Sequence, residues 1–126
     1  MRVFIAFFFS IFIFFSCQND DSSVQQQERN NLITMYLEIE GLSKSVPCTD
    51  ETKWSFVAFG AKACGGPQGY LAYSSEIDTA LFLQKVEAYT NAEKEFNEKW
   101  NVISDCSLPR TPIKVECFNN LPDFIY

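Results

Sequence analysis

The sequence predicts an α+β domain in which one long amphipathic helix packs on a small antiparallel sheet held by two disulfides. Its 126 residues suffice for a single domain. One uninterrupted segment repeats apolar residues at helical spacing, and several shorter segments alternate apolar and polar residues between turn-forming residues, as strands do. Five cysteines in so short a chain add the expectation of disulfides. The folded domain is predicted over residues 32–126.

Residues 1–16 are predicted to be a signal peptide. Arg2 precedes an apolar run from Val3 to Phe15 that only Ser10 interrupts, which is the charged and then hydrophobic order of an export signal. As a helix rising about 1.5 Å per residue, the run would span about 20 Å, short of the roughly 30 Å hydrocarbon core of a bilayer. We therefore expect a cleaved leader rather than a membrane-spanning helix.

The end of this run, Phe14-Phe15-Ser16-Cys17, resembles the lipobox of bacterial lipoproteins, although Phe14 stands where that family usually has Leu. The resemblance implies cleavage before Cys17, which then becomes the N-terminus and carries acyl chains that fix the protein to a membrane. Removing Cys17 from the count leaves four cysteines, an even number suited to disulfides in an exported protein. The alternative is an ordinary signal peptide with Cys17 as an unpaired thiol.

Residues 17–31 are predicted to be the lipidated N-terminus and a flexible acidic tether, because Val24 is the only apolar residue between positions 18 and 31. Asp20-Asp21 resembles the surface-export signal of Bacteroidota lipoproteins, in which an acidic pair follows the lipidated cysteine closely. This resemblance implies a lipid-anchored protein of the cell envelope, in the outer membrane and on its outer face. The alternative for the acidic pair is a solvated part of the tether.

Three strands are predicted before the helix. Residues 36–40 alternate apolar and polar side chains, as a short half-buried strand does. Residues 53–59 carry apolar side chains on both faces, which favours a strand at the centre of the sheet or under the helix. Residues 64–69, with three glycines and a proline, form a turn that needs positive φ values. Residues 70–74 follow as a short strand.

The helix is predicted from Asp78 to Trp100, a stretch without Gly or Pro that Ser75 and Asp78 can cap. Its apolar stripe comprises Phe82, Val86, Tyr89, Phe96 and Trp100. Residues 102–103 are a possible extension into a short strand, and residues 105–112 are a loop with two prolines. Residues 113–118 and 124–126 are predicted to pair as a β-hairpin around Asn119-Asn120, because Asn tolerates left-handed φ.

Four cysteines lie in loops or at strand ends, where disulfides commonly occur: Cys48, Cys64, Cys106 and Cys117. The absence of a CxxC motif disfavours a redox or zinc site. The favoured pairing is Cys48–Cys64 with Cys106–Cys117, which closes loops of moderate length. The rival pairing, Cys64–Cys106 with Cys48–Cys117, ties the glycine-rich turn to the exit of the helix. Loop length alone does not decide between them.

Composition excludes several classes of function. A net charge of −6 disfavours a nucleic-acid partner. The absence of histidine removes the commonest general base and the commonest zinc ligand. No EF-hand spacing and no phosphate-binding loop motif occur, so neither a metal nor another cofactor is expected. No SxxK motif occurs that would indicate a serine nucleophile activated by lysine. We therefore expect a protein that is not an enzyme.

The glycine-rich turn and its neighbours form the candidate binding loop: Gly65, Gly66, Pro67, Tyr70, Tyr73 and Arg110. Glycines expose backbone, tyrosines supply amphipathic contact area, and a disulfide would hold the turn rigid. The alternative, which we favour, is a structural turn whose tyrosines pack beneath the helix. For Arg110 the alternative is a solvated cation in a loop.

Several motifs together resemble small lipoproteins of Bacteroidota that carry no known activity. They are Trp54, the Cys64-Gly65-Gly66-Pro67 turn with Tyr70, Ser104-Asp105-Cys106, and Val115-Glu116-Cys117. The resemblance implies the folded unit and its compartment but no function.

The sequence thus favours a non-catalytic envelope module that binds an extracellular protein or a glycan. The alternative is a small proteinase inhibitor that presents either residues 65–70 or residues 108–112, with Arg110 as a basic bait. An enzyme that uses carboxylates is the least favoured class, because no pattern of paired carboxylates stands out.

Overall fold

A computed structural model describes residues 20–126. Its elements are α1 (Asp20–Ser43), a short 3-10 helix (Glu51–Lys53), β1 (Trp54–Phe59), β2 (Gly69–Ser74), α2 (Thr79–Lys99), β3 (Lys114–Phe118) and β4 (Leu121–Ile125). The predicted α+β class is confirmed, but with two helices instead of one and two small antiparallel sheets instead of one. The predicted signal peptide and Cys17 lie outside the described residues.

Helix α1 corrects two predictions. Residues 20–31 were expected in a tether without regular structure and residues 36–40 in a strand, but both belong to one continuous helix. The helix packs on α2, and Ile39 is buried in the core with only 1% of its surface exposed. The apolar residues that face the core repeat at helical spacing: Leu32, Met35, Tyr36, Ile39 and Leu42. This tertiary packing outweighs the polar composition of the first turns.

The N-terminal half of α1 is fixed by polar contacts to the far end of α2. The Glu28 carboxylate accepts hydrogen bonds from Lys99 Nζ at 2.5 Å and from Trp100 Nε1 at 2.7 Å. These two bonds lower the pKa of Glu28. Glu38 pairs with Lys85 further along at 2.7 Å, so the two helices run antiparallel.

Helix α2 matches its prediction closely. Asp78 is the N-cap and accepts a hydrogen bond from the Leu81 N–H at 3.0 Å. Asn101, with φ of 48°, ends the helix in the left-handed region. The residues of α2 that are buried include four of the five predicted for the apolar stripe: Phe82, Val86, Tyr89 and Phe96. Phe82 is fully buried and lies at the centre of the core.

Strands β1 and β2 form an antiparallel hairpin, and both of its faces are covered. Val57 pairs with Leu71, and these side chains belong to the core under the helices. On the opposite face, the Phe56 ring lies 6.3 Å from Phe124 of β4. The helices therefore pack on one face of this sheet, and the C-terminal hairpin packs on the other. The sequence predicted β1 either at the centre of the sheet or under the helix. The structure places it under a helix, in a sheet of two strands.

The C-terminal hairpin and its turn are confirmed, but β4 spans Leu121–Ile125 instead of the predicted residues 124–126. Strands β3 and β4 pair antiparallel around Asn119 and Asn120, whose φ values of 51° and 61° are those of a two-residue hairpin turn. Residues 102–103 form no strand. Among the helices of residues 20–126, none is both long and apolar enough to span a bilayer.

The two disulfides correct the favoured pairing. Cys48 bonds to Cys117 and Cys64 to Cys106, with Cα–Cα distances of 5.2 and 5.4 Å. Cys48 follows the end of α1, and its N–H donates to the Asn120 carbonyl at 2.9 Å, which brings it to the tip of the C-terminal hairpin. The favoured pairings Cys48–Cys64 and Cys106–Cys117 were wrong. The C-terminal half of α2 contacts the glycine-rich turn that carries Cys64, so the loop after α2 brings Cys106 to it, and the segment after α1 places Cys48 beside the hairpin that carries Cys117.

Candidate functional site

The glycine-rich turn that joins β1 to β2 is fixed by a polar row on α2. Thr90 Oγ1 accepts a hydrogen bond from the Gly60 N–H at 3.0 Å, and Glu93 Oε2 accepts one from the Ala61 N–H at 2.6 Å. The side-chain amide of Asn97 donates to the Ala61 carbonyl at 2.7 Å. Because these three helix residues stand one and two turns apart, they present one continuous row to the start of the turn.

Glu93 is the centre of this row. Its second oxygen accepts from the Tyr89 hydroxyl at 3.2 Å and from the Gln68 amide at 3.4 Å. Burial raises the pKa of Tyr89, and the nearby Glu93 carboxylate raises it further. Gly60 has φ of 74°, and a Cβ there would meet both Glu93 and Gln68. The base of the turn therefore requires glycine and is held by buried or half-buried polar groups.

The turn itself confirms the predicted positive φ values. Gly65 and Gly66 have φ of 94° and 84°. The Gly65 N–H donates to the Lys62 carbonyl, and the Lys62 N–H donates to the Gly66 carbonyl, both at 2.9 Å. A Cβ on Gly66 would clash with the side chain of Leu108, which belongs to the loop after α2. The turn and that loop are thus packed directly against each other.

A clamp joins the two loops at the Cys64–Cys106 disulfide. Lys62 Nζ lies 2.6 Å from Asp105 Oδ1 and donates to the Ser107 carbonyl at 2.5 Å. The Ser107 hydroxyl donates to the other Asp105 oxygen at 2.6 Å. The bonds from Lys62 and then Ser107 lower the pKa of Asp105. Although the Lys62 side chain is charged, only 11% of it is exposed, because its contact with the loop after α2 covers it.

The other end of the loop is attached to the β1–β2 sheet. The Tyr70 hydroxyl and Thr111 Oγ1 are 2.8 Å apart and hydrogen-bonded. The Tyr70 ring stands edge-on to Phe56 at 5.9 Å, and Pro112 is buried. Residues 106–112 are therefore held at both ends although they form no helix or strand.

Between these attachments the loop displays two large side chains. Leu108 is 67% exposed, and Arg110 is exposed with its guanidinium 5.5 Å from the ring centre of Tyr126. Pro109 lies between them and is half-buried. We call residues 62–70 and 104–112 together the clamped loop pair.

The structure brings together only part of the predicted binding loop. Gly65, Gly66 and Pro67 lie in the turn, and Arg110 lies in the neighbouring loop of the clamped loop pair. Tyr70 and Tyr73 occupy opposite faces of β2: Tyr70 points toward Thr111, whereas the Tyr73 ring packs on Phe82 at 5.1 Å in the core. The two tyrosines therefore form no common surface. Tyr73 therefore packs beneath the helix, as expected if the segment is a structural turn and not a binding loop.

Sequence reasoning missed the residues that hold the site together. The contact of Lys62 with Asp105 and Ser107 gave no spacing signal, because Lys62 precedes them by 43 and 45 residues and meets them only through the fold. The polar row on α2 did leave a signal. Thr90, Glu93 and Asn97 stand three and four residues apart beside the apolar stripe, which indicates a polar face directed at another part of the chain.

A groove of about 500 Å³ runs between the turn and the end of α2. Its wall includes Lys62, Gly65, Gly66, Lys94, Asn97 and Glu98. Its lining is mixed in charge and exposes glycine backbone, so it offers hydrogen-bonding groups next to a rigid turn. Within residues 20–126 no three His, Cys, Asp or Glu side chains are grouped so that they could hold a metal ion.

No family model, curated protein or solved structure matches this chain.

Proposed function

We propose that the protein is a lipid-anchored, non-catalytic binding module of the cell envelope, held at the outer face of the outer membrane, which recognises an extracellular protein or glycan through the clamped loop pair. The observation that carries this proposal is that two irregular loops are both exposed and immobilised. The Cys64–Cys106 disulfide and the Lys62–Asp105 ion pair join them. The groove beside Gly65 and Gly66 adjoins the same surface.

Immobilised loops suit recognition for an energetic reason. Ordering a flexible loop on binding costs free energy, and a loop already held in one conformation avoids most of this loss. Loops on a rigid scaffold are also where binding residues concentrate. Here the scaffold is the β1–β2 hairpin packed on α2, and the exposed residues Leu108 and Arg110 stand on the loop that it holds.

The membrane anchor in this proposal rests on the sequence. Phe14-Phe15-Ser16-Cys17 resembles a lipobox, and two or three acyl chains on Cys17 would hold the protein on a bilayer, since each buried methylene contributes about 0.8 kcal/mol. Asp20-Asp21 supports the outer face by its resemblance to the surface-export signal.

Acylation and location are tested together in the native host. Cells grown with an alkyne-tagged fatty acid should yield a labelled protein whose mass corresponds to an acylated N-terminus at Cys17, and Cys17→Ser should abolish the label. Proteinase K added to intact cells should digest the protein, while an Asp20→Ala/Asp21→Ala variant should become protected. An unlabelled mature protein would overturn the anchor, and full protection of the wild type would overturn the surface location.

Recognition is tested by photocrosslinking of the whole protein in living cells. A photoreactive amino acid replaces Leu108 in one strain and Leu37 in the control, because both side chains are exposed, at 67% and 58%, and Leu37 lies on α1. The proposal expects a discrete adduct from position 108 and none from position 37. No adduct from the loop, or equal adducts from both positions, would contradict it.

A further inference from the structure

We infer that residues 108–111 form a substrate-like loop that occupies the active-site cleft of a trypsin-like serine endopeptidase, with Arg110 entering its specificity pocket. This inference rests on the proposed function and names the partner of the same surface. It is carried by three properties of the loop: an exposed cation without a carboxylate partner among the described residues, a backbone open to pairing, and attachment at both ends.

Arg110 is an exposed cation without a carboxylate partner among the described residues. Six lysines of the described chain pair with carboxylates: Lys44, Lys53, Lys62, Lys85, Lys99 and Lys114. Arg110 has no such partner within residues 20–126, and its guanidinium lies over the exposed ring of Tyr126. A guanidinium in this state is free to form the bidentate contact with a buried carboxylate that defines a trypsin-like specificity pocket.

The backbone around Arg110 is open to a partner. Residues 103–112 form no backbone-to-backbone hydrogen bond with the rest of the described chain. Pro109 and Pro112 flank Arg110 and fix φ on either side, and the segment is neither helix nor strand. A protease binds its substrate as an extended strand through main-chain hydrogen bonds. The Ser107 carbonyl is already bonded to Lys62, so the N–H groups of Leu108 and Arg110 and their carbonyls are the groups that this segment offers to such a cleft.

Attachment at both ends makes the loop an inhibitor rather than a substrate. On the N-terminal side, Cys106 is bonded to Cys64. On the C-terminal side, Thr111 is hydrogen-bonded to Tyr70, and the Ile113 N–H donates to the Ile125 carbonyl at 2.7 Å. These contacts keep both sides of the Arg110–Thr111 peptide bond in place even when that bond is cut.

The chemistry of the trapped state follows from this. The serine oxygen of the protease adds to the Arg110 carbonyl, the bond between the Arg110 carbonyl carbon and the Thr111 nitrogen breaks, and that nitrogen takes the proton that the serine hydroxyl releases. Because Thr111 stays beside the acyl group, its amine attacks the ester, the serine oxygen leaves and takes back a proton from that amine, and the peptide bond reforms faster than water hydrolyses the ester. This is the advantage that an intramolecular nucleophile has over a diffusing one.

Purified full-length protein is titrated against trypsin with an arginyl chromogenic amide as the reporter. We expect inhibition that Arg110→Ala weakens by about 100-fold or more, because the carboxylate of the pocket is left unpaired. Arg110→Lys should retain most of the inhibition, and Arg110→Phe should transfer it to a chymotrypsin-like enzyme. Arg29→Ala is the matched control, since Arg29 is exposed on α1, forms no ion pair within the described residues and has its guanidinium 5.2 Å from the ring centre of Phe96; it should inhibit like the wild type.

A second set of variants separates inhibition from simple competition. Cys64→Ser/Cys106→Ser, or the milder Tyr70→Phe, should be cut after Arg110 faster than the wild type. The inference is overturned if the wild type does not inhibit, if Arg110→Ala inhibits equally, or if the wild type is cut as fast as an unconstrained arginyl peptide. Should any of these occur while position 108 still gives a crosslinked adduct on cells, the binding module stands and only the partner is wrong.

Discussion

The two disulfides are expected to differ in accessibility and in the energetic consequence of their removal. Cys64 and Cys106 are both exposed, whereas Cys48 has only 1% of its surface accessible. Their sequence separations are 42 and 69 residues. In the loop-entropy model each cross-link then contributes about 4 kcal/mol, the longer loop slightly more. Net stability of a domain is about 5–15 kcal/mol, so either loss is a large fraction of the total.

Replacement by serine distinguishes the two. Cys64→Ser/Cys106→Ser should lose only the cross-link term of about 4 kcal/mol, since exposed hydroxyls remain solvated. Cys48→Ser/Cys117→Ser should lose that term and about 1–3 kcal/mol more, because the hydroxyl at position 48 would be buried in a site shaped for sulfur. Urea unfolding followed by tryptophan fluorescence measures both losses, with the double variants compared at equal protein concentration.

Partial reduction gives an independent measurement. Thiol–disulfide exchange requires that the attacking thiolate reach a sulfur, so a low concentration of dithiothreitol should open Cys64–Cys106 first. Alkylation followed by peptide mass mapping identifies which cysteines have been released at each time. Earlier alkylation of Cys48 and Cys117, or a loss below about 1 kcal/mol for Cys64→Ser/Cys106→Ser, would refute the reasoning from burial and loop closure.

Three further predictions concern packing and polar contacts. Phe82→Ala should cost about 3–5 kcal/mol because Phe82 is fully buried, while Leu83→Ala on the exposed side should change urea stability by less than about 1 kcal/mol. Glu93→Ala should cost about 1–3 kcal/mol by leaving the Ala61 N–H without its acceptor, and equal loss in Glu95→Ala, the exposed control, would contradict this. The pKa of Glu28 is lowered in the folded protein. Its contribution to the free energy of unfolding is therefore complete above its ordinary pKa of 4.5 and is lost as the pH falls through the lowered pKa. The melting temperature of Glu28→Gln should therefore lie below that of the wild type at pH 7, and the gap should close in acid.

Elements whose pattern is local could be predicted from the sequence. Helix α2 has an N-cap, an uninterrupted stripe and no Gly or Pro, and the C-terminal hairpin has two Asn residues where left-handed φ is needed. Helix α1 was missed because its first twelve residues are polar except for Val24 and predict disorder. Its packing partner, α2, is distant in sequence, and the ion pair between Glu28 and Lys99 shows that the contact forms only in the fold.

The candidate site was predictable in its glycines and not in its partners. Positive φ at Gly65 and Gly66 follows from the turn composition. Tyr70 and Tyr73 were grouped as one surface, but residues three apart on a strand point to opposite faces, and the structure places them so. The pairing of Cys64 with Cys106 depends on where the helix α2 ends relative to the turn, which no local pattern encodes.

The replacement of the expected tether by helix changes how the proposed anchor presents the domain. Helix α1 begins at Asp20, three positions after Cys17, and runs for 24 residues, about 36 Å. Cys48 joins the C-terminal end of α1 to the β3–β4 hairpin, which is therefore attached at the end of α1 opposite to Asp20. The clamped loop pair adjoins the end of α2, and that end contacts α1 at Glu28. The eight residues of α1 before Glu28 span about 12 Å as a helix, so an anchor at Cys17 would be separated from the loops by a helical spacer rather than by an unstructured tether.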